Sequence, residues 1–160
     1  MRALALHQPF ASLIAIGAKR VETRHWPAPA ALIGERLAIH ATLSREDLYL
    51  VAGQPFLRAL QHAYREDRLV LVDGELPLGA IVATAVLDRC SAITEPGTAT
   101  LRERAPDEYA FGNYSLRRGP RYAWVMRDIE ALMPPVRFKG RQRIFFVPDE
   151  LLTAAQGALL

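Results

Sequence analysis

Cysteine is almost missing from this chain, and the single one, Cys90, has no partner for an intramolecular disulfide. With no CxxC pair a structural zinc site lacks its usual ligands, and a reducing cytoplasm is the expected setting. His7, His25, His40 and His62 follow no HExxH or comparable spacing, so no metal is expected. Gly-rich phosphate loops of the GKS or GxGxxG kind are missing as well, and no cofactor is expected. No stretch approaches the roughly 18 uninterrupted apolar residues that span a bilayer. The opening MRALALHQPFASLIAIGAKR imitates a secretory leader, but His7, Gln8 and Pro9 break the run. Repeats and low-complexity tracts are lacking, and the Pro/Gly clusters are too short for linkers, which leaves one domain over residues 1–160. Lysine is scarce too: only Lys19 and Lys139 among twenty basic residues, a bias that genome composition alone can produce.

What is present is an ordinary globular composition, 51% hydrophobic and 23% charged over 160 residues, enough to bury a core without staples. The net charge of +3 is mild, but its distribution is uneven. Residues 113–145 hold Arg117, Arg118, Arg121, Arg127, Arg137, Lys139, Arg141 and Arg143 against Asp128 and Glu130, a local +6 on a remainder of −3. Such a patch suits phosphate binding, and a solvated surface produces the same count.

Periodicity predicts a short strand at Ala3–Leu6 and a helix over Gln8–Ile16, with Pro9 in the first turn and Gly17 as a left-handed cap. A strand follows at Arg20–Arg24. Trp26-Pro27-Ala28-Pro29 forbids regular structure, and RLAIHA at 36–41 alternates like a half-buried strand. Helices are expected near 44–52, from the Ser44 signal, and over 55–66. Leu69–Val72 and Leu78–Leu87 read as a short and a long strand around a Gly-containing turn. A short helix at 98–104, strands at 122–128 and 143–147, and a final helix after Pro148 complete an α+β domain of about six strands on a small curved sheet or barrel.

The segment GAKRVETR, residues 17–24, concentrates charge beside the first helix. Alternation along a strand puts Arg20, Glu22 and Arg24 on one face, read as the outer one, with Val21 and Thr23 inward and Lys19 leaning over the same outer face. One reading is a surface ion pair worth roughly 0 to 1 kcal/mol. The other is a binding constellation.

Gly17, Lys19, Glu22 and Arg24 match the fingerprint Gly-x-Lys-x-x-Glu-x-Arg, and with it the chain resembles ASCH domains, named for homology to an activating signal cointegrator. The likeness extends to Gln8-Pro9-Phe10, Trp26-Pro27, Ile39-His40-Ala41, Gly79-Ala80-Ile81, Tyr122-Ala123-Trp124 and Gly140, covering residues 1–148. It implies a PUA-like small β-barrel with peripheral helices and a cleft between the first helix and the barrel, lined by the fingerprint. It also implies RNA or another single-stranded nucleic acid, or a nucleoside, as ligand. In that cleft Arg24 and Lys19 can hold phosphate, and Glu22 can accept from a base amino group. Gln8 can offer donor and acceptor. Trp26 either stacks a base or lids the core, Trp124 reads as core, and His40 is either an acid/base group or a structural histidine.

RFKGRQR at 137–143 places Arg137, Lys139, Arg141 and Arg143 at alternate positions. If extended, it forms a rail of cations spaced about 6.6 Å apart for a nucleic-acid backbone; otherwise Gly140 marks a bulge, or the row is a solvated edge. Catalysis is the second class considered, with Lys19 and Glu22 as the pair. Relatives that deacetylate N4-acetylcytidine carry Thr where this chain has Glu22, and Thr23 faces away, so a Lys-activated hydroxyl is lost. A carboxylate beside a lysine remains a general base for deacylation or RNA cleavage. A coregulator-type interaction module is the third class, without a positive mark.

Overall fold

The computed structural model describes residues 1–157. Its centre is a six-stranded sheet built from β1 (Arg2–Leu6), β2 (Val21–Arg24), β3 (Arg36–Ala41), β4 (Ala80–Ala92), β5 (Tyr122–Arg137) and β6 (Ile144–Phe146), in the order β2-β5-β4-β3-β1-β6. Only β1 and β3 run parallel; the other pairs are antiparallel. Three register shifts between β4 and β5, and one between β3 and β4, bend the sheet into a half-barrel, as bulges do by adding local twist.

The central strands are buried on both faces, which is why RALAL and RLAIHA carry few polar residues. Leu4, Leu6, Leu37 and Ile39 face a core with Ile14, Trp124 and Met126. Ala3, Ala5 and Ala38 face a second core with Ile81, Leu132, Phe145 and Leu152. A third core, holding Leu13, Phe56, Leu60 and Phe111, joins helix α1 (Phe10–Ala15) to α2 (Phe56–Arg65). Full burial of each large aliphatic side chain stabilises by roughly 1.5–3 kcal/mol. Helices α3 (Glu95–Arg104), α4 (Pro106–Ala110) and α5 (Asp149–Gly157) complete the set.

Several expectations need correction. Leu69–Val72 is not a strand: Val72 bridges only to Glu75 across Asp73-Gly74, both with positive φ. Strand β4 already has β3 and β5 as neighbours, so Leu69 and Leu76 pack on α2 instead. The 44–52 helix shrinks to a 3-10 segment at Leu48–Ala52, because Ser44 Oγ accepts from Glu46 N–H in a local turn. Strand β5 continues past residue 128 to Arg137, and the 98–104 helix starts earlier, at Glu95, with Thr94 Oγ1 accepting from Gly97 N–H. The cationic rail does not form. Residues 138–143 leave the sheet and Arg143 has φ +64°, so the alternate positions of RFKGRQR share no strand face.

Candidate functional site

Helix α1 ends at a left-handed Gly17 (φ +77°), whose N–H donates to the Ile14 carbonyl, and Lys19 N–H donates to the Leu13 carbonyl. This turn folds Lys19 beneath the helix as the chain enters β2. Strand β2 then pairs Glu22 with Trp124 and Arg24 with Tyr122. Directly paired residues share a face, and Trp124 is fully buried. Glu22 and Arg24 therefore face the core side, the reverse of the expected outer placement. Thr23 lies on the other face, where its hydroxyl accepts from Asn113 N–H at 3.1 Å.

The face is tolerable for charge because the charges answer one another. Lys19 is 1% exposed, and its ammonium donates to the Val21 carbonyl at 2.5 Å and the Phe111 carbonyl at 2.8 Å, with Glu22 Oε2 at 3.5 Å. Glu22 Oε1 lies 3.4 Å from Arg24 Nε, and Arg24 Nη2 donates to the Ala5 carbonyl at 2.6 Å. A third cation stands nearby: burial lowers the Arg121 pKa, with the charge of Glu22 opposing that shift and Arg118 adding to it. Glu108 holds the neighbouring backbone, accepting from Arg20 and Val21 N–H at 2.8 and 3.0 Å.

Next to Arg24 opens a cleft of about 370 Å³ between the end of β1, the start of α1 and β2. Arg24, Glu22, His7, Asp47, Thr42 and Arg143 all line it. Several expected residues are elsewhere. Lys19 is enclosed behind Glu22 and does not reach the wall, so it cannot hold phosphate there. Gln8 is fully buried; its amide donates to Ser12 Oγ and the Pro77 carbonyl, both at 2.8 Å, and its oxygen accepts from Ser12 N–H. Its hydrogen bonds pin the 69–79 loop to α1 and use both amide protons, and its complete burial keeps it from a ligand in the cleft. Trp26 is partly buried against the core, edge-on to Trp124 with centroids 4.7 Å apart, and does not line the cleft. His40 lies outside the cleft, 3% exposed, with Nε2 2.9 Å from the Phe138 carbonyl. Of the four rail cations only Arg143 reaches the cleft; Arg137, Lys139 and Arg141 line a neighbouring groove.

The structure also brings forward a pair that spacing did not reveal. His7 Nδ1 and Asp47 Oδ2 are 2.9 Å apart on the cleft wall, both partly exposed. Forty residues separate them, so no local pattern announces the contact. Among the described residues no cluster of three or more His, Cys, Asp or Glu side chains could hold a metal, and no helix is long and apolar enough to cross a membrane.

The described residues form an α+β half-barrel with this charged turn behind a cleft, in keeping with the PUA-like fold that the ASCH resemblance implies. A family model described as the ASCH domain matches residues 4–124, and the chain belongs to that family. The fold is similar to the crystal structure of ASCH from Zymomonas mobilis, at 19% identity and TM-score 0.56, with 99% of this chain and 94% of that one covered. Two point variants of the Zymomonas mobilis protein superpose at TM-score 0.55 and 18% identity, covering 98% of this chain and 94% and 96% of theirs. No curated protein matches the chain.

Proposed function

We propose that the protein binds single-stranded RNA, with one nucleotide seated in the cleft beside Arg24. The observation that carries this reading is that two arginines, Arg24 and Arg143, line one cleft of about 370 Å³. That volume is at the low end of small-ligand pockets, roughly 300–1,000 Å³, and suits one nucleotide rather than a duplex. Arg24 is held by Ala5 and Glu22, so little side-chain entropy is lost on meeting phosphate. Arg143 stands exposed at the rim. Glu22, Thr42 and Gln142 supply acceptors and donors for base and sugar.

Anisotropy with a short fluorescent RNA tests the reading. Arg24→Ala and Arg143→Ala should each weaken binding about tenfold to hundredfold, the loss of a charge-assisted hydrogen bond worth about 1.5–3 kcal/mol. Each should also reduce the salt slope by about 0.7 per lost phosphate contact. Salt-independent binding, or unchanged affinity in both variants, would overturn the reading.

The His7–Asp47 pair favours a second reading, cleavage of the bound RNA. A carboxylate on Nδ1 fixes the tautomer that leaves Nε2 as acceptor, the arrangement of a general base. His7 then takes the 2′-hydroxyl proton as that oxygen attacks phosphorus. The bond to the 5′-oxygen breaks, the leaving oxygen takes a proton from water, and a 2′,3′-cyclic phosphate remains. The amide-hydrolase alternative lacks comparable support, because Lys19 is enclosed and the Thr23 hydroxyl is on the far face.

A further inference from the structure

Between β5 and β6 the chain swings out at Phe138 and returns at Ile144. This loop and the end of β3 enclose a groove of about 660 Å³ lined by Arg137, Lys139, Arg141, Leu43 and Phe138, with His40 among its lining residues. No carboxylate lines it, and none of the three cations is ion-paired among the described residues. All three are exposed, as is Leu43 at 76%.

The loop is held by a close approach rather than by a strand ladder. Gly140 lies over the imidazole of His40, so closely that a Cβ there would sit 2.2 Å from Cε1. His40 Nε2 donates to the Phe138 carbonyl, which leaves Nδ1 as an acceptor, and Nδ1 is buried with no partner. Edge-on contact with Phe145, centroids 5.2 Å apart, fixes the ring from the other side. The groove is thus a formed feature with a closely packed floor.

It is also continuous with the cleft. Thr42 and Gln142 line both hollows, so they lie side by side along one wall, with Arg24 and Arg143 in one and Arg137, Lys139 and Arg141 in the other. We propose that this groove is a second nucleotide subsite, which receives the residue adjoining the one in the cleft of a single-stranded RNA. The three cations meet its phosphates, and Leu43 and Phe138 give its base an apolar wall. The inference rests on the RNA reading of the cleft and adds the path the strand takes across the protein.

Two probes separate the claims: cytidine 5′-monophosphate, which fills one site, and a four-nucleotide RNA, which fills both. The double variant Lys139→Ala/Arg141→Ala should bind the mononucleotide like the wild type and the tetranucleotide at least tenfold more weakly, with the salt slope lower by about 1.4 for two phosphates. Gly140→Ala, which pushes the loop off His40, should reproduce that selective loss. Arg24→Ala should weaken both probes. Thermal melting checks that the exposed double substitution leaves the fold intact. If Arg24→Ala weakens both probes while the double variant weakens neither, or weakens both equally, the second subsite is refuted and the cleft reading stands. If the wild-type chain binds neither probe, both are refuted.

Discussion

Replacing Lys19 with methionine removes an ammonium that the structure encloses almost completely. Methionine keeps the length and the apolar stem but leaves the Val21 and Phe111 carbonyls without their donor and Glu22 without its buried counter-charge. Removing one member of a buried pair costs about 3–5 kcal/mol, chiefly because the other charge stays behind. The orphaned carbonyls belong to the same event and are not added separately. For a chain of this size each kcal/mol moves the melting temperature by about 2–4 °C, so Lys19→Met should melt about 6–20 °C lower. Urea unfolding should agree, and the pairing has its own signature. Lys19→Met/Glu22→Gln should be less destabilised than the two single losses added together, because the stranded carboxylate is gone. A Lys19→Met protein within about 1 kcal/mol of wild-type stability that has lost RNA affinity would refute this account and return Lys19 to the ligand.

Two further outcomes follow from named histidines. If the His7–Asp47 pair acts as general base, His7→Ala should slow cleavage of an RNA oligonucleotide by about 10²–10⁴-fold while affinity stays within about twofold; cleavage at the wild-type rate in this variant would leave only binding. Burial holds the His40 pKa below its ordinary value of 6.5, against the Phe138 carbonyl, which raises it. The folded chain therefore refuses a proton that the unfolded chain accepts, so stability should fall as pH drops below about 6.5, by at most about 1.4 kcal/mol per pH unit for one proton. His40→Gln should flatten this slope in urea titrations between pH 7.5 and 5, and an unchanged slope would assign it to other groups.

Periodicity carried far in the strands that are buried on both faces and in the amphipathic helices. RALAL and the 56–65 helix were legible because each carries one burial pattern, whereas RLAIHA was legible as a strand but not in its burial: its apparent alternation predicts a half-buried strand, and its neighbours on both sides bury both faces. The long strands were harder. Strand β5 passes through three register shifts, a left-handed Asp128 and Pro134-Pro135, each of which breaks the two-residue period on which the reading depends. Alternation along β2 separates two faces without saying which is inside, so the sequence predicts the polar face outward. Three charges that satisfy one another can occupy the inner one. The His7–Asp47 contact was illegible for another reason: it joins the start of α1 to a loop forty residues away, and only the fold sets that distance.

The fingerprint spacing acquires a physical meaning from this arrangement, one step removed from the ligand. Gly17 turns the chain because φ of +77° is open to glycine at little cost. Lys19, two residues on, falls under the helix where the Val21 and Phe111 carbonyls wait. Glu22 and Arg24 are two apart on one strand and so share a face. The carboxylate stands between the ammonium and the guanidinium, and Arg24 is fixed again by Ala5 at the mouth of the cleft. Without Lys19 the carboxylate would neutralise Arg24. With it, the three charges sum to +1, and that surplus sits at the cleft on the one side chain that can face a phosphate. The spacing would then serve to deliver a single pre-oriented cation, and beside Glu22 the bases and sugars of a ligand would be read by cleft residues outside the motif, Thr42 and Gln142.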